Sequence, residues 1–456
     1  MKIQDQQSQA QNQQFELPFS LSNIRNKQVE VSYTSKDVSN DGGALLLKEL
    51  DDQLGLIEHL VSCTHDERDQ RYIDHSYLDM IRQRIFQIAC GYEDANDCNQ
   101  LRTDSVFKLC ANRLPDSEKD LASQPTISRL ENAISSTQLY KMAQAFIDQF
   151  ISSYEQEPGL IILDCDDTNH TTYGDQQLTM FNNYYGDYCY MPLHIYEGVS
   201  GKLITTILKP GRRSKNVNVF AILKRIIARL RAQWPNTIIV LRGDGHFCSP
   251  QFMDWAHDEK NIHFVTGLTG NSKLNEEVKE HLEIAQRTFE HRGNDQKRYL
   301  SFLYKANSWI NEQRVIAKIE VTAKGTNIRY IVTDMHEYRS SHVYEKAYCA
   351  RGAMELRIKE HKLYLKSDRS SCNSFYANQF RLFLHSAAYV LIHTLQKEYL
   401  QGTEFVNSTI RTIQLKVLKT AAWVKEMKTK IKIELPQAFA FKGAQKQAFD
   451  LLNCSG

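Results

Sequence analysis

The spacing of apolar residues changes along the chain and divides it into regions. The first residues, "MKIQDQQSQAQNQQ", are polar and glutamine-rich, which is typical of a disordered tail, and "QVEVSYT" then alternates as a short strand does. From Gly42 to Ser153 apolar residues recur at helical spacing, as in "SYLDMIRQRIFQIACGYE". We therefore predict a disordered tail and short strand over residues 1–41 and a mainly helical domain over residues 42–153.

After Pro158 the pattern becomes one of short apolar runs, several of which end in acids. The runs "LIILDCDDT", "DYCYMPLHIYEG" and "LITTILKPG" predict three strands, which can form an antiparallel meander. An amphipathic helix, "NVNVFAILKRIIARLRAQW", precedes the strand "TIIVLRGDG", and the helix "SPQFMDWAHDEK" precedes the strand "IHFVTGL". Right-handed crossovers would make these last strands parallel neighbours. This order predicts an α/β fold with a ribonuclease-H-like catalytic core, in which the first and fourth strands are adjacent.

The rest of the chain is predicted to interrupt and then complete this core. The first part of the core covers residues 154–270, and three strand-like runs indicate a β-rich insertion over residues 271–340. The second part covers residues 341–400 and includes a helix that is apolar on most faces, "ANQFRLFLHSAAYVLIHTLQKEYL". A basic C-terminal region over residues 401–456 contains a predicted helix, "TIRTIQLKVLKTAAWVKEMKTK", and a possible strand, "IKIEL".

Composition narrows the classes of function. The chain has 456 residues, 42% of them hydrophobic, and a formal net charge of only +2, so binding to nucleic acid would depend on local basic patches. Its ten cysteines include no C-x-x-C pair, which favours reduced thiols in a cytoplasm over a zinc finger. No apolar run approaches the length of a membrane span and the start lacks a signal-peptide pattern, so we expect neither secretion nor membrane contact.

A charged stripe marks the predicted helix "YCARGAMELRIKEHK". At 100° per residue, four side chains fall within an arc of roughly 60°: Tyr348, Arg351, Glu355 and Lys362. Met354 and Ile358 lie beside the stripe and can pack it against the protein. One interpretation is a solvated face with an ion pair between Glu355 and Lys359. The other is one half of a site for metal and phosphate.

Acids at two predicted strand ends supply the other half of such a site. Asp164 and Asp166 point to one face of a strand, and Asp244 ends another strand just before Gly245. Three converging carboxylates repel one another, and hard divalent cations such as Mg²⁺ or Mn²⁺ relieve that repulsion. We predict that Asp166, Asp244 and Glu355 are catalytic and bind two metal ions, although spacing alone leaves Asp164 as an alternative first ligand.

These motifs together resemble the DDE transposases of bacterial insertion sequences. The pattern Y-x2-R-x3-E-x6-K of the branch with the YREK signature is matched without a gap from Tyr348 to Lys362. The wider stretches "LDCDDT…YGDQQ…YYGDYCYMPL" and "DGGALLLKELDDQLGL…GYEDANDCNQLRTD" are similar to insertion-sequence family thirteen-eighty, and the likeness runs from about Asp41 to Pro436. In this family the first catalytic acid precedes small or hydroxyl residues, which fits Asp166 better than Asp164.

The resemblance implies an activity and partners. It implies an enzyme that cuts DNA at terminal inverted repeats and joins the 3′ ends to target DNA with Mg²⁺ or Mn²⁺. It also implies a homodimer on double-stranded DNA, located at the nucleoid of the cytoplasm. Arg351 and Lys362 would hold phosphates, and Tyr348 would contact a phosphate or a displaced base. Trp309, in the insertion, would either stack on a flipped base or be a buried core residue.

Alternatives to this interpretation stay open at the sequence level. The helix that begins in "LASQPTISRLENAI" is either a DNA-recognition helix, with Thr126, Ser128 and Arg129 exposed to DNA, or a plain capped helix of a bundle. The whole protein could instead be a ribonuclease-H-like nuclease that cuts without joining. A non-catalytic DNA-binding protein derived from a transposase is the third possibility, although all three predicted acids are present.

Overall fold

The computed structural model describes residues 19–32, 37–212 and 218–454. The predicted disordered tail lies outside these residues. The described chain begins with a hairpin of β1 (Phe19–Ile24) and β2 (Lys27–Val31), which confirms the strand predicted in "QVEVSYT". A short strand, β3 (Val38–Ser39), follows it.

Helices then occupy the region that the sequence predicts to be helical. They are α1 (Ala44–Leu54), α2 (Leu56–Ser62), α3 (Tyr77–Ala89), α4 (Asp97–Leu101), α5 (Ser105–Cys110), α6 (Gln124–Ala133) and α7 (Ser136–Ser152). Reciprocal side-chain and backbone hydrogen bonds cap two of the longer ones, between Ser76 and Asp79 at α3 and between Ser135 and Gln138 at α7. Capping of this kind fixes where each helix begins.

A mixed sheet forms the centre of the molecule. Its elements in chain order are β4 (Leu160–Asp167), β5 (His170–Thr171), β6 (Met180–Asn182), β7 (Asp187–Tyr190), β8 (Leu193–Glu197), β9 (Leu203–Ile207), α8 (Val219–Gln233), β10 (Ile238–Gly243), α9 (Pro250–Asp258) and β11 (Ile262–Leu268). The strands β4, β8 and β9 form an antiparallel meander, and β10 pairs in parallel with both β4 and β11. The predicted adjacency of the first and fourth core strands, β4 and β10, is confirmed. The run "DYCYMPLHIYEG" is not one strand, because β7 leaves the main sheet and pairs with β5 and β6.

The three strands predicted within residues 271–340 are also confirmed, but they do not form a sheet of their own. After α10 (Ser272–Glu277) and α11 (Lys279–Arg292) come β12 (Gln296–Tyr304), β13 (Gln313–Thr322) and β14 (Gly325–Thr333). The strand β14 pairs antiparallel with β11, so these strands extend the central sheet. This pairing covers the backbone edge that β11 would otherwise expose. Trp309 is buried there with its ring 5.5 Å from that of Tyr304, which supports the core interpretation of this residue.

The helix that carries the charged stripe is irregular. It runs from α12 (Ser340–His342) through a π-helical turn at Val343–Tyr348 and a 3₁₀ turn at Cys349–Arg351 to α13 (Gly352–Lys359), and it ends in a second π-helical turn at Glu360–Tyr364. A uniform 100° per residue therefore does not describe it. The next helix, α14 (Phe375–Thr394), is buried on nearly all sides, as its sequence predicts.

The C-terminal region differs from the prediction of one long basic helix. The helix α15 (Ile410–Ile413) continues through a π-helical turn only to Leu418 and is followed by β15 (Ala422–Glu426), β16 (Ile431–Glu434) and α16 (Lys442–Cys454). The predicted helix is thus wrong beyond Leu418, whereas the strand predicted in "IKIEL" is confirmed by β16. The physical reason is the alternation of buried Ala422 and Val424 with polar or exposed neighbours, which suits a strand.

This C-terminal region completes the core of the helical region. The backbone N–H of Gly42 donates to Thr420 O at 2.7 Å, and that of Gly43 donates to Leu418 O at 3.1 Å. A Cβ atom on Gly43 would lie 2.2 Å from Val417 O, so only glycine allows this approach. Apolar side chains of α1, α3, α14 and α16 belong to one continuous core. Residues 42–153 therefore share their core with later segments of the chain.

Candidate active site

Two of the predicted acids lie next to each other at the end of the parallel strand pair. Gly243, the last residue of β10, is opposite Cys165 on β4. The residues that follow these two, Asp244 and Asp166, are therefore neighbours. Burial raises the pKa of the Asp166 carboxyl to about 6, Arg351 lowers it, and the negative charge of Asp244 raises it further. The pair therefore concentrates negative charge that the protein neutralises incompletely.

Asp244 is placed by a tight turn. Its Oδ1 atom accepts a hydrogen bond from the backbone N–H of His246 at 2.8 Å, which caps the short 3₁₀ turn Gly245–Phe247. Its Oδ2 atom lies 3.2 Å from His246 Nδ1. The side chain is 30% exposed. The sequence prediction that Asp244 stands at a turn after a strand is confirmed, and the turn leaves the carboxylate accessible.

Asp164 has a different environment one step earlier on the same face of β4. It is buried, and Arg242 holds both carboxylate oxygens, with Nη2 donating to Oδ2 at 2.6 Å and Nε donating to Oδ1. Arg242 also donates to Ala347 O at 2.8 Å, which ties the ion pair to the irregular helix. Asp164 is thus part of a buried structural ion pair.

The third acid of the motif, Asp167, points to the other face and is also paired. Lys209 Nζ donates to both of its carboxylate oxygens at 2.7 Å. Neither Lys209 nor Arg242 is among the residues that the sequence reasoning selects. A signal for Arg242 exists, because a charged residue inside the apolar run "TIIVLRGDG" needs a buried partner of opposite charge.

The irregular helix brings Arg351 to the acids. Arg351 Nη1 donates to Asp166 Oδ2 at 3.0 Å, and Arg351 Nη2 lies 3.9 Å from Glu355 Oε1. The ion pair expected between Glu355 and Lys359 is therefore not the one that forms, since Glu355 faces Arg351. The Glu355 side chain is 69% exposed and extends towards solvent. Arg351 consequently stands between two of the predicted metal ligands.

The other two residues of the stripe occupy separate positions. The Tyr348 hydroxyl lies against Gly267, 3.0 Å from where a Cβ atom would be, and burial raises the pKa of this phenol. Lys362 Nζ donates to the backbone O of Asn169 at 2.6 Å and to its Oδ1 atom at 3.0 Å. Lys362 thus holds the loop between β4 and β5. Met354 and Ile358 are buried beside the stripe, as predicted.

The metal assignment stays a prediction. Within residues 19–32, 37–212 and 218–454, no three side chains of the types His, Cys, Asp and Glu lie close enough to hold a metal ion. Asp166 and Asp244 are adjacent, whereas Glu355 is exposed on the far side of Arg351. The donor set fits Mg²⁺ or Mn²⁺ nevertheless, because all its donors are carboxylate oxygens and two of them, on Asp166 and Asp244, repel each other.

The predicted recognition helix, α6, begins as expected, with Ser123 at its N-cap and Pro125 in its first turn. Arg129 is exposed, whereas Thr126 and Ser128 are half-buried. The inner face of α6 packs against α14, where buried Glu131 lies 3.8 Å from Arg381. This packing is what a helix of a bundle requires, and DNA contact by the outer face stays a prediction.

One family model covers nearly the whole chain. The family model described as "Transposase DDE domain group 1" matches residues 21–455. Among solved structures, the cryo-EM structure of a piggyBac transposase synaptic complex with hairpin DNA is similar, with 11% sequence identity and a TM-score of 0.44, over 83% of this chain and 80% of that chain. A comparison with curated proteins gave no match. In the part of the chain that the structure describes, no helix is both long and apolar enough to cross a membrane.

Proposed function

Because this chain belongs to the transposase DDE domain group 1 family, we propose that it is the transposase of an insertion sequence. In this proposal it binds terminal inverted repeats, cleaves DNA there and joins the 3′ ends to target DNA. The observation that carries the proposal is the adjacency of Asp166 and Asp244 at two parallel strand ends, with Arg351 beside them. The match to the YREK branch supports the narrower assignment to an insertion sequence.

The order of strands supports a ribonuclease-H-like core. Along the central sheet the order is β9, β8, β4, β10 and β11, with an antiparallel meander on one side of β4 and parallel partners on the other. This is the arrangement expected from the sequence for such a core. In this arrangement the acids at the ends of β4 and β10 would act on the same phosphate.

Asp166 is the better candidate for the first metal ligand than Asp164. The charge of Asp164 is already neutralised by a buried arginine, so moving it to a metal would leave Arg242 unpaired at high cost. Asp166 is bound by Arg351 at a single distance of 3.0 Å and faces Asp244. Asp166, Asp244 and Glu355 would hold Mg²⁺ or Mn²⁺, which when bound supplies an activated oxygen nucleophile and stabilises the leaving oxygen.

The basic residues of the helix would position the DNA backbone. A guanidinium is a planar fork of donors, so Arg351 can bind a phosphate beside the carboxylate that it already contacts. Lys362 supplies a point charge at the other end of the helix, where its amine is held by Asn169. Tyr348 would contact a phosphate or a displaced base. In this arrangement the helix aligns the scissile phosphate with the acids.

We also propose that the protein acts as a homodimer on double-stranded DNA, with one protomer at each end of the element, and that it works at the nucleoid in the cytoplasm. The outer face of α6, with Thr126, Ser128 and Arg129, would contribute to recognition of the ends. Since α6 is packed against α14, the full chain is the appropriate protein for binding measurements.

Strand cleavage and joining by the full-length protein test the proposal. The substrate is a 3′-labelled duplex that carries the inverted repeat found beside the gene, with a supercoiled plasmid as target and Mg²⁺ in the buffer. We expect cleavage at the repeat and transfer of the labelled strand into the plasmid. Cleavage without transfer would identify a nuclease that does not join, and binding without cleavage would identify a non-catalytic DNA-binding protein.

A further inference from the structure

A group of exposed aromatic rings lies on the small sheet β5–β7 and its connecting loops. This aromatic patch consists of Tyr173, Phe181, Tyr184, Tyr185 and Tyr188. Tyr173 and Tyr184 are 94% and 87% exposed, and the rest are partly exposed. Single exposed aromatic residues are ordinary, but several on one small sheet and its loops, with Phe181 5.5 Å from Tyr188, indicate an interaction surface. The patch is not used by the candidate active site described above.

The protein holds this patch in a defined position. The turn at its tip is fixed by Asn182, whose Oδ1 atom accepts from the backbone N–H of Tyr184 at 3.0 Å and whose amide donates to Gly211 O at 2.7 Å. Gly186 closes the turn at a φ of +70°, in the left-handed region that glycine adopts most easily. Further along, the N–H of Gln177 donates to Asn373 O at 2.9 Å. Because the backbone that carries the rings is already ordered, binding of a ligand to them would cost little conformational entropy of these loops.

The aromatic patch is next to the candidate acids. The rings of Tyr184 and Tyr185 are 4.9 Å apart and meet edge to face. Asn182, whose side chain fixes the turn that carries Tyr184, lines one cavity together with Asp167, the residue that follows Asp166. The patch thus begins where the site for the scissile phosphate is proposed.

A groove of about 810 Å³ continues from the patch along the end of the irregular helix. Tyr173 lines it together with three basic residues, Lys362, Lys366 and Arg369, and two acids, Asp175 and Asp368. Basic side chains in the same groove as an exposed aromatic ring are a combination that binds single-stranded nucleic acid, because phosphates pair with the cations while bases stack on the ring.

We propose that the aromatic patch stacks on unpaired bases of the DNA strand adjacent to the scissile phosphate, while Lys366 and Arg369 hold the phosphates of that strand. This inference rests on the proposed function, since it places the strand relative to Asp166. The occupant is single-stranded, because bases within a duplex are stacked on each other and offer no free face to a tyrosine ring. The site would give the enzyme a preference for ends whose last bases are unpaired.

Binding of two matched DNA probes to the full-length protein tests this inference. One probe is a blunt duplex that carries the inverted repeat, and the other is the same duplex with a short unpaired extension containing 2-aminopurine, whose fluorescence falls on stacking. We expect the wild-type protein to bind the extended probe at least about fivefold more tightly and to change its fluorescence. Tyr184→Ala and Tyr173→Ala should each reduce that preference and leave binding of the blunt probe unchanged.

Two further variants distinguish stacking from other roles. Tyr184→Phe should retain the preference, since it keeps the ring, whereas loss of the preference in this variant would assign the effect to the hydroxyl and overturn the proposal. Tyr338→Ala is the matched control, because Tyr338 is also exposed but lines a different cavity with Leu160, at the opposite end of β4. Equal affinity of the wild-type protein for both probes would also overturn the inference.

The test separates this inference from the proposed function. If the protein cleaves and joins a blunt end but shows no preference for the extension, the inference fails and the transposase assignment stands. If the preference and its loss in Tyr184→Ala are seen while cleavage and joining are absent, stacking is supported and the catalytic assignment fails.

Discussion

Asp164 and Asp166 lie two residues apart on the same face of β4, but their carboxylates have different partners in the fold. Asp164 is buried and held at both oxygens by Arg242, which is itself only 2% exposed. Asp166 accepts hydrogen bonds from Arg351 at 3.0 Å and from the backbone N–H of Asp167 at 2.9 Å, and it faces a second carboxylate, Asp244. Both carboxylate oxygens of Asp164 are paired with a buried arginine, whereas Asp166 shares the strand ends with a second carboxylate.

This difference indicates which acids are available to a cation. An acid whose charge is neutralised by a buried arginine stabilises the structure only while that pair is intact. Burial raises the pKa of both carboxyls, but at Asp166 the charge of Asp244 raises it further, and a metal ion bound by both acids would relieve this repulsion. Strand spacing alone does not distinguish Asp164 from Asp166, but the partners that the fold gives them do.

The largest expected effect is a loss of strand cleavage when Asp166 is replaced. Asp166→Asn should reduce strand cleavage by more than about 10³-fold, because the neutral amide is a much weaker ligand for Mg²⁺. The melting temperature should be unchanged or higher, since the repulsion with Asp244 is removed. The measurement is cleavage of the labelled inverted-repeat duplex, with Asp258→Asn, on an exposed helix end, as the control. Near wild-type cleavage by Asp166→Asn would exclude it as a ligand.

The second-largest expected effect is a loss of folding stability when Asp164 is replaced. Asp164→Ala should lower the free energy of unfolding by about 3 kcal/mol or more, because it leaves the Arg242 guanidinium buried without its partner. The double variant Asp164→Ala with Arg242→Met should recover much of that loss, since no unpaired charge remains. Urea unfolding of the three proteins measures both values. A loss below about 1 kcal/mol in the single variant would contradict a structural role for this ion pair.

Much of this arrangement can be predicted from the sequence. The apolar runs that end in Asp166 and Asp244 predict both strands and their adjacency, because crossover rules leave few alternatives. The stripe on the helix is predicted only in part, since its π-helical and 3₁₀ turns shift Lys362 towards Asn169. The pairing of Asp164 with Arg242 depends on the relative register of two strands, which a single sequence does not specify.

Substitutions of Arg351 and Lys362 on the irregular helix should reduce strand cleavage less than the loss of Asp166 does. Arg351→Ala should slow cleavage about 10- to 100-fold, because the residue both orients Asp166 and is proposed to hold a phosphate. Arg351→Lys should rescue poorly, since a point charge cannot replace a planar fork of donors. Lys362→Ala should have a milder effect, and Lys362→Arg should partly restore cleavage. Normal cleavage by Arg351→Ala would exclude a role for this arginine in holding the scissile phosphate.

The smallest expected effect concerns Asp51, a buried acid that lies outside the candidate active site. Asp51 on α1 is 1% exposed, and its Oδ1 atom accepts from the N–H of Ile57 in the first turn of α2 at 3.0 Å. Burial raises the pKa of the Asp51 carboxyl to about 7. Incomplete neutralisation of a carboxylate is therefore not unique to the candidate site. At Asp51 the position indicates capping of a helix, with no second acid aligned beside it on a strand end.

A pH series on Asp51→Asn tests this distinction. In the unfolded chain an aspartate has a pKa of about 3.9. Because the folded-state pKa is higher, the contribution of Asp51 to stability is fully present below about pH 4 and is lost as the pH rises through 7. Asp51→Asn should thus gain on the order of 1 kcal/mol of unfolding free energy over the wild-type protein between pH 5 and pH 8.

The control is Glu49→Gln, an exposed change on the same helix. Cleavage activity should be unchanged in both variants, since neither residue contacts the strand ends. Parallel stability profiles for the Asp51→Asn and wild-type proteins would show that the pKa of this carboxyl is not raised, and the comparison of buried acids would then rest on Asp164 and Asp166 alone.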